Sequence, residues 1–170
     1  MFNELFNNQD MNDLQNLLKK YNKTITTAES CTGGLVASLI TKISGSSQIF
    51  NGSIITYSNK IKNQELNVKN ETLEKYGAVS IEVVNEMLVG VIEKFEADFA
   101  IAISGIAGPN GGTKNKPVGT VVIGLSDSKN RKIVKVYNFS GSREDIQIQA
   151  AKTSLKEILK FVQKTLDNLN

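Results

Sequence analysis

The segment DFAIAIS, residues 98–104, constrains the fold of this chain more than any other stretch. Its apolar side chains follow one another without alternation, and the run is short for a helix. Such a segment is typical of a strand that is buried on both faces, at the centre of a parallel sheet. Because both faces of that strand must be covered, the sequence predicts helices on each side of a sheet.

The rest of the chain alternates predicted strands and helices around this segment. Two strands are predicted at 23–29 and 49–57, and a hairpin of two strands at 118–126 and 131–139. This order predicts one domain, residues 1–170, with the fold of a three-layer α/β/α sandwich around a mixed, mostly parallel five-stranded sheet. Apolar residues at helical spacing predict the helices, which lie at about 10–21, 35–43, 59–65, 71–76, 81–95 and 143–167. Ser80 is predicted to be the N-cap of the helix at 81–95.

The composition excludes several classes of function. Histidine is absent and cysteine occurs once, which excludes zinc-type sites, internal disulfides and catalytic groups of the Ser-His-Asp or Cys-His type. The net charge of +3 is spread without a basic run, so a nucleic-acid surface is not indicated. No apolar stretch reaches the roughly 18 residues of a membrane span, and the N-terminus lacks a signal-peptide pattern. We therefore expect a cytoplasmic protein with no metal, nucleic-acid or membrane partner.

The predicted topology brings chemically active side chains to one edge of the sheet. Ligands of open α/β sheets bind beyond the carboxyl ends of the parallel strands. Ser30 follows the first strand, Tyr57 ends the second and Ser104 ends the third. The last strand delivers Arg143 to the same edge, and a glycine-rich loop, residues 105–117, leaves from it. We expect the functional site at this edge.

The segment TTAESCTGG places a hydroxyl and a thiol at the turn between the first strand and the next helix. Ser30 is the candidate nucleophile. Cys31 is expected to be a small buried residue, because no histidine is present to form a thiolate pair with it. Thr32 is predicted to cap the helix. Gly33 and Gly34 either allow close packing or offer backbone N–H groups to an anion, and the sequence leaves both readings open.

The base that activates the serine must be something other than histidine. Glu29 is a poor candidate, because consecutive residues of a strand point to opposite faces of the sheet. Asp98 begins its strand at the opposite rim. A lysine made neutral by burial remains, either Lys60 or Lys62 in the segment TYSNKIK. Tyr57 is expected to relay the proton or to donate a hydrogen bond to the developing oxyanion.

Six segments occur together in a characteristic order and spacing: TTAESCTGG, TYSNKIK, YGAVS, ISGIAGPNGG, KPVGTV and GSRED. In these segments the chain resembles the CinA C-terminal domain family, from about residue 10 to residue 165. The resemblance implies a homodimeric α/β/α enzyme that hydrolyses the carboxamide of nicotinamide mononucleotide and releases ammonia. It implies neither a metal nor an organic cofactor.

The resemblance also assigns roles to individual residues. The family's serine nucleophile falls on Ser30 and its tyrosine on Tyr57, and its lysine falls on the second lysine of TYSNKIK, Lys62. A hydroxyl at the end of the third strand falls on Ser104, where many members have threonine. The family's arginine falls on Arg143. The predicted substrate-binding residues are Thr32, Gly33, Gly34, Ser104, Gly105, Gly108 and Arg143.

Some alternatives stay open on the sequence. Arg143 binds the substrate phosphate, or it pairs instead with Glu144 or the C-terminal helix. The loop at 105–112 covers the substrate, or it is an ordinary connection. The chain acts on nicotinamide mononucleotide, or on another pyridine nucleotide or small amide. A last alternative is that the chain is a catalytically silent domain of the same fold, which senses a nucleotide or binds a competence-related partner.

Overall fold

The computed structural model describes residues 2–167, in which five strands form one mixed sheet. The strands are β1 (Ile25–Glu29), β2 (Ile54–Ile55), β3 (Phe99–Gly105), β4 (Thr120–Asp127) and β5 (Lys132–Asn138). Their order across the sheet is β2-β1-β3-β4-β5. β1 is parallel to β2 and β3, whereas β4 is antiparallel to both of its neighbours. Four strands therefore share one direction, and the predicted mostly parallel sheet is confirmed.

Helices cover both faces of this sheet. Within the described residues the α-helices are α1 (Asn8–Lys20), α2 (Leu35–Thr41), α3 (Asn59–Leu66), α4 (Asn70–Tyr76), α5 (Ile81–Phe95) and α6 (Arg143–Asp167). Apolar side chains of α1, α2 and α6 form a core with one face, and those of α3, α4 and α5 form a second core with the other. The predicted α/β/α sandwich is therefore confirmed. None of these helices is both long enough and apolar enough to cross a membrane.

The central strand β3 is buried on both sides, as the DFAIAIS segment predicts. Ala100 and Ala102 belong to the core formed with α5, whereas Ile101 and Ile103 belong to the core formed with α6. Both faces of the sheet at β3 are thus filled by apolar side chains. A site for a polar ligand is then left at the ends of the strands.

A close backbone contact fixes the position of α3 against α5. A Cβ atom at Gly90 would lie 2.1 Å from the carbonyl oxygen of Leu66, so only glycine fits at this point of α5. Lys62 lies one turn before Leu66 on α3. The contact therefore also sets where the Lys62 side chain enters the protein.

The second strand is shorter than the predicted range 49–57. Phe50 makes only an isolated bridge to the start of β1. Two residues after Phe50, the carbonyl oxygen of Gly52 accepts a hydrogen bond from the side-chain hydroxyl of Thr26 at 2.8 Å. Regular pairing is restored only in the two residues of β2. Because β2 still ends just before Tyr57, that residue keeps its predicted place at the edge of the sheet.

Helix starts show one wrong prediction and one that is confirmed. Gly34, not Thr32, is the N-cap residue of α2, with a left-handed φ of +99° that favours glycine. The Thr32 hydroxyl bonds to a carboxylate instead. Ser80 caps α5 as predicted, because its side chain accepts from the Val83 N–H. Asn7 caps α1 by accepting from two backbone N–H groups, so this helix begins earlier than residue 10.

Candidate active site

A cavity of about 260 Å³ opens at the edge of the sheet where β1 and β3 end. The loop between β3 and β4 lies over it, and the first residue of α6 contributes to its wall. Seven of the ten predicted site residues line this cavity; the other three, Thr32, Gly33 and Gly34, lie outside it. The seven that the fold brings together are Ser30, Tyr57, Lys62, Ser104, Gly105, Gly108 and Arg143.

The side chains of Lys62 and Ser30 are in direct contact inside this cavity. The Nζ atom of Lys62 lies 3.0 Å from the Oγ atom of Ser30. It also donates to the backbone carbonyl oxygens of Thr56, at 2.7 Å, and of Tyr57, at 3.3 Å. Ser58 caps α3 and so sets the start of the helix that carries the lysine. Lys62 is only 1% exposed to solvent.

Burial lowers the pKa of Lys62 from 10.5 to about 8. The main cause is the loss of water around the charged ammonium; proximity to Cys31 opposes this effect. No carboxylate in the described part of the chain forms an ion pair with Lys62 to restore the higher value. At pH 8 about half of the molecules then hold a neutral amine here. Lys60, by contrast, is exposed and lies outside the cavity.

A second group of contacts closes the cavity on its outer side. Arg143 donates from Nη1 to the Gly108 carbonyl oxygen, at 2.7 Å, and from Nη2 to the Tyr57 hydroxyl oxygen, at 3.0 Å. Tyr57 is 61% exposed. Its hydroxyl therefore lies at the mouth of the cavity and not between Ser30 and Lys62, so the predicted relay position is not the one adopted. Arg143 likewise bonds to the loop and to the tyrosine, rather than pairing with the neighbouring glutamate.

Ser104 joins the end of β3 to the segment YGAVS. Its hydroxyl donates to the carbonyl oxygen of Ala78 at 2.7 Å. Ala78 and Val79 line the cavity beside it. A hydroxyl that donates to a carbonyl keeps its own lone pairs as acceptors. Ser104 can therefore accept a hydrogen bond from an amide N–H of a ligand.

Residues 7–162 match the family model of the CinA C-terminal domain. The chain belongs to this family. Solved structures agree: a CinA superfamily protein from Klebsiella pneumoniae has a TM-score of 0.87 and 31% identity, covering 92% of this chain and 97% of that one. The competence/damage inducible protein CihA from Agrobacterium tumefaciens has a TM-score of 0.84 and 34% identity, covering 91% and 96%.

The sequence relatives of this CinA C-terminal domain differ in length. The nicotinamide-nucleotide amidohydrolase PncC of Enterobacter agglomerans is 49% identical over 140 residues, which are 80% of this chain and 85% of that protein. A CinA-like protein of Prochlorococcus marinus (strain MIT 9312) is 55% identical over 143 residues, which are 83% of this chain but 34% of that protein. The chain thus spans about a third of the length of such CinA-like relatives.

The turn after the serine of this CinA C-terminal domain is stabilised from within. The Gly33 N–H donates to the Ser30 carbonyl oxygen at 3.1 Å. The Gly34 N–H and the Thr32 hydroxyl both donate to the Glu29 carboxylate, at 3.1 Å and 2.7 Å. All three residues line a separate groove. The N–H groups that the sequence offers to a phosphate are therefore already paired, and this geometry does not support a substrate-binding role for the three.

Glu29 is the residue of this region whose importance the sequence analysis misses. It is fully buried. A carboxylate at a helix N-terminus satisfies N–H groups that have no partner within the helix, and the helix dipole stabilises it. All the hydrogen bonds that its carboxylate accepts come from the turn, from α2 or from β1, and none comes from Ser30. This agrees with the expectation that Glu29 is not the base. Five groups donate to its two oxygens: the hydroxyls of Thr27 and Thr32 and the N–H groups of Gly34, Val36 and Ala37.

Cys31 lines the cavity but is a poor nucleophile. Burial raises the pKa of its thiol to about 12, so the thiol stays protonated near neutral pH. The prediction of a small buried residue is confirmed. Within residues 2–167, no group of three or more His, Cys, Asp or Glu side chains could hold a metal ion. The polar side chains that line the cavity include the hydroxyls of Ser30, Tyr57 and Ser104, the amine of Lys62 and the guanidinium group of Arg143.

Proposed function

We propose that the chain is an amidohydrolase that converts nicotinamide mononucleotide and water into nicotinate mononucleotide and ammonia. Ser30 would be the nucleophile and Lys62 the base. The contact of 3.0 Å between their side chains carries this proposal. The relative from Enterobacter agglomerans, which the chain matches over most of both lengths, is named a nicotinamide-nucleotide amidohydrolase. That the enzyme is cytoplasmic stays a prediction from the sequence, and that it is a homodimer stays an implication of the family resemblance.

The partners of Lys62 favour direct proton transfer from Ser30. The carbonyl oxygens of Thr56 and Tyr57 can accept hydrogen bonds but cannot donate them. The two N–H bonds of a neutral amine are satisfied by these two carbonyls, so its lone pair faces the Ser30 hydroxyl. The hydroxyl proton then points at the atom that is to receive it. This geometry meets the requirement for general-base catalysis.

The reaction would pass through an acyl-enzyme. Ser30 Oγ attacks the carboxamide carbon while its proton moves to Lys62. The Lys62 ammonium then gives this proton to the nitrogen of the carboxamide. The C–N bond breaks, ammonia departs, and the acyl group stays bound to Ser30 as an ester. Water attacks the ester and gives its proton to Lys62, which passes it to Ser30 Oγ as the ester bond breaks. Lys62 thus acts as base and acid in turn.

The charge of the cavity suits an anionic substrate. Among the described residues that line it, the ionisable groups able to carry positive charge are Lys62 and Arg143, and no Asp or Glu is present. Arg143 bonds to two neutral oxygens, of Gly108 and Tyr57. A phosphate could replace them with stronger, charge-assisted hydrogen bonds. The phosphate of the mononucleotide would then lie beside Arg143 at the mouth, with its carboxamide at Ser30 in the interior.

Ammonia release from a panel of substrates tests this function. The purified protein is incubated separately with nicotinamide mononucleotide, NAD and free nicotinamide, and ammonia is measured. The proposal requires ammonia from the mononucleotide and its near-complete loss in Ser30→Ala. Ammonia from NAD or nicotinamide alone would point to an amidohydrolase for another substrate. No ammonia from any of the three would favour a silent nucleotide-binding domain.

A further inference from the structure

The turn that carries Ser30 contains residues that restrain a backbone weakly. Gly33 and Gly34 follow the serine closely, both with positive φ angles, of +58° and +99°. Glycine has more backbone freedom than any other residue, so a turn built from it needs outside contacts to keep one conformation. The proposed base, by contrast, is held firmly, because Lys62 is buried and bonded to two backbone carbonyls.

A single buried carboxylate makes several of the contacts that restrain this turn. Glu29 precedes the serine directly, and its oxygens reach across the turn to the next helix. Oε2 accepts from the Thr32 hydroxyl at 2.7 Å and from the Gly34 and Val36 N–H groups at 3.1 Å each. Oε1 accepts from the Ala37 N–H at 2.9 Å and from a hydroxyl of β1 at 3.3 Å. One side chain thus ties the strand, the turn and α2 together.

The other side of the turn has its own anchors. The Ser30 N–H donates to the carbonyl oxygen of Ile103 at 3.1 Å, which fixes the serine backbone to β3. Gln147 of α6 donates to the Cys31 carbonyl oxygen at 2.8 Å. These contacts hold the start of the turn. At its end the Leu35 N–H donates to the Thr32 carbonyl oxygen at 3.1 Å, and the Glu29 carboxylate bonds to the turn, to α2 and to β1 at once.

We infer that Glu29 is a positioning residue, whose carboxylate holds the Ser30 turn so that the serine hydroxyl stays directed at Lys62. The inference rests on the proposed role of Ser30 as the nucleophile. Glu29 touches neither the hydroxyl nor the amine, so it acts only through the backbone conformation of the turn. A displacement of about 1 Å in a reacting group can lower a rate about a hundredfold.

Glu29→Gln is the sharpest variant, because it keeps the shape of the side chain. In one orientation its NH₂ group faces the N–H of Ala37, and in the other it faces the N–H groups of Gly34 and Val36. Either way at least one backbone donor loses its acceptor. We expect kcat to fall about tenfold to a hundredfold, with KM changed less than about threefold. The pH at which the rate rises should stay that of the wild type, because Lys62 keeps its surroundings.

A matched control separates positioning from loss of stability. Asn7→Ala also removes a side-chain oxygen that accepts from N–H groups at a helix start, but at α1, outside the cavity. It should lower the melting temperature and leave kcat and KM unchanged. Thr32→Val removes only the shortest hydrogen bond to Glu29 and keeps the shape of the residue. Thr32→Val should lower kcat about threefold to tenfold. If Glu29→Gln does not fold, the kcat of Thr32→Val tests the positioning role of Glu29 in its place.

A second measurement does not depend on the substrate. Phenylmethanesulfonyl fluoride forms an O–S bond with an activated serine as the S–F bond breaks, fluoride leaves and the proton passes to the base. The labelling rate at Ser30, followed by mass spectrometry, should fall in Glu29→Gln and Thr32→Val as kcat does. If the wild type is labelled at Ser30 but releases no ammonia, the proposed substrate is wrong and the inference stands on the labelling rates. The inference about Glu29 would be overturned by any of three results. The wild type is not labelled at Ser30, both Glu29→Gln and Thr32→Val are labelled at the wild-type rate, or Asn7→Ala loses as much of the labelling rate as they do.

Discussion

The Nζ atom of Lys62 and the Oγ atom of Ser30 lie 3.0 Å apart, although 32 positions separate the two residues in the chain. The serine follows β1, and the lysine comes from α3, which packs closely against α5. The contact therefore depends on how a strand and a helix from different parts of the fold are held. It brings a hydroxyl to a buried amine whose pKa is lowered to about 8.

The first prediction concerns the chemical role of Lys62. Arginine keeps the positive charge but does not lose its proton in proteins, so it cannot act as a base. Lys62→Arg should therefore lower kcat as much as Lys62→Ala, by roughly a hundredfold or more. Steady-state ammonia release measures both. Lys60→Ala is the control and should stay close to the wild type, since Lys60 is exposed. Strong activity in Lys62→Arg would show that only positive charge is needed.

The pH dependence of the reaction follows from the same residue. Burial favours the neutral amine, so the pKa of Lys62 falls from 10.5 to about 8. Because only the neutral form accepts a proton, the value of kcat/KM should rise about tenfold per pH unit below pH 8 and level off above it. A profile from pH 6 to 10 on the free enzyme measures this ionisation. A rise centred near 10.5 would contradict the lowered pKa, and a flat profile would contradict the role of Lys62.

Arg143 should decide between substrates with and without a phosphate. Its guanidinium group lies at the mouth of the cavity and bonds to neutral oxygens that a phosphate could replace. Arg143→Ala should narrow the preference for the mononucleotide over nicotinamide riboside by about tenfold to a hundredfold, measured as the ratio of kcat/KM values. Arg131→Ala is the control, because Arg131 lies outside this cavity and pairs with Asp127. Equal losses for both substrates in Arg143→Ala would place the phosphate elsewhere.

Tyr57 should act through Arg143 rather than through Ser30. Its hydroxyl accepts from Arg143 at 3.0 Å, whereas Ser30 and Lys62 contact each other without it. Tyr57→Phe should therefore raise KM for the mononucleotide several-fold and change kcat little. In the double variant with Arg143→Ala, the two effects should be less than additive, because one contact links the two side chains. A loss confined to kcat would instead favour the proton relay.

The order of the strands and the buried faces of the helices could be predicted from the sequence, because a continuous apolar run marks the central strand and apolar residues at helical spacing mark the helices. DFAIAIS predicted β3, and the order of elements placed Ser30, Tyr57 and Ser104 at one edge of the sheet. The choice of Lys62 over Lys60 came from the family resemblance. It agrees with burial, since position 62 faces inward on α3 while position 60 faces solvent.

The details of the Ser30 turn could not be predicted in the same way. Thr32 has a typical capping side chain, but the Glu29 carboxylate reaches the helix start and takes that role. The same carboxylate accepts the hydrogen bond of the Gly34 N–H, which the sequence analysis considered as a donor to a phosphate. Alternation along β1 shows which face Glu29 points to, but not that its side chain extends to the next helix. The contact of Tyr57 with Arg143 likewise joins residues 86 positions apart, and no local pattern signals it.

The most direct test of the account is ammonia release from nicotinamide mononucleotide by Ser30→Ala, with Cys31→Ala as the matched neighbour. Both side chains line the same cavity and both substitutions are small. Only the serine is in contact with Lys62, and the thiol stays protonated because burial raises its pKa to about 12. We predict that Ser30→Ala folds like the wild type and loses nearly all turnover, whereas Cys31→Ala keeps most of it. Full activity in Ser30→Ala, or a loss of activity in Cys31→Ala alone, would contradict the assignment of Ser30 as the nucleophile.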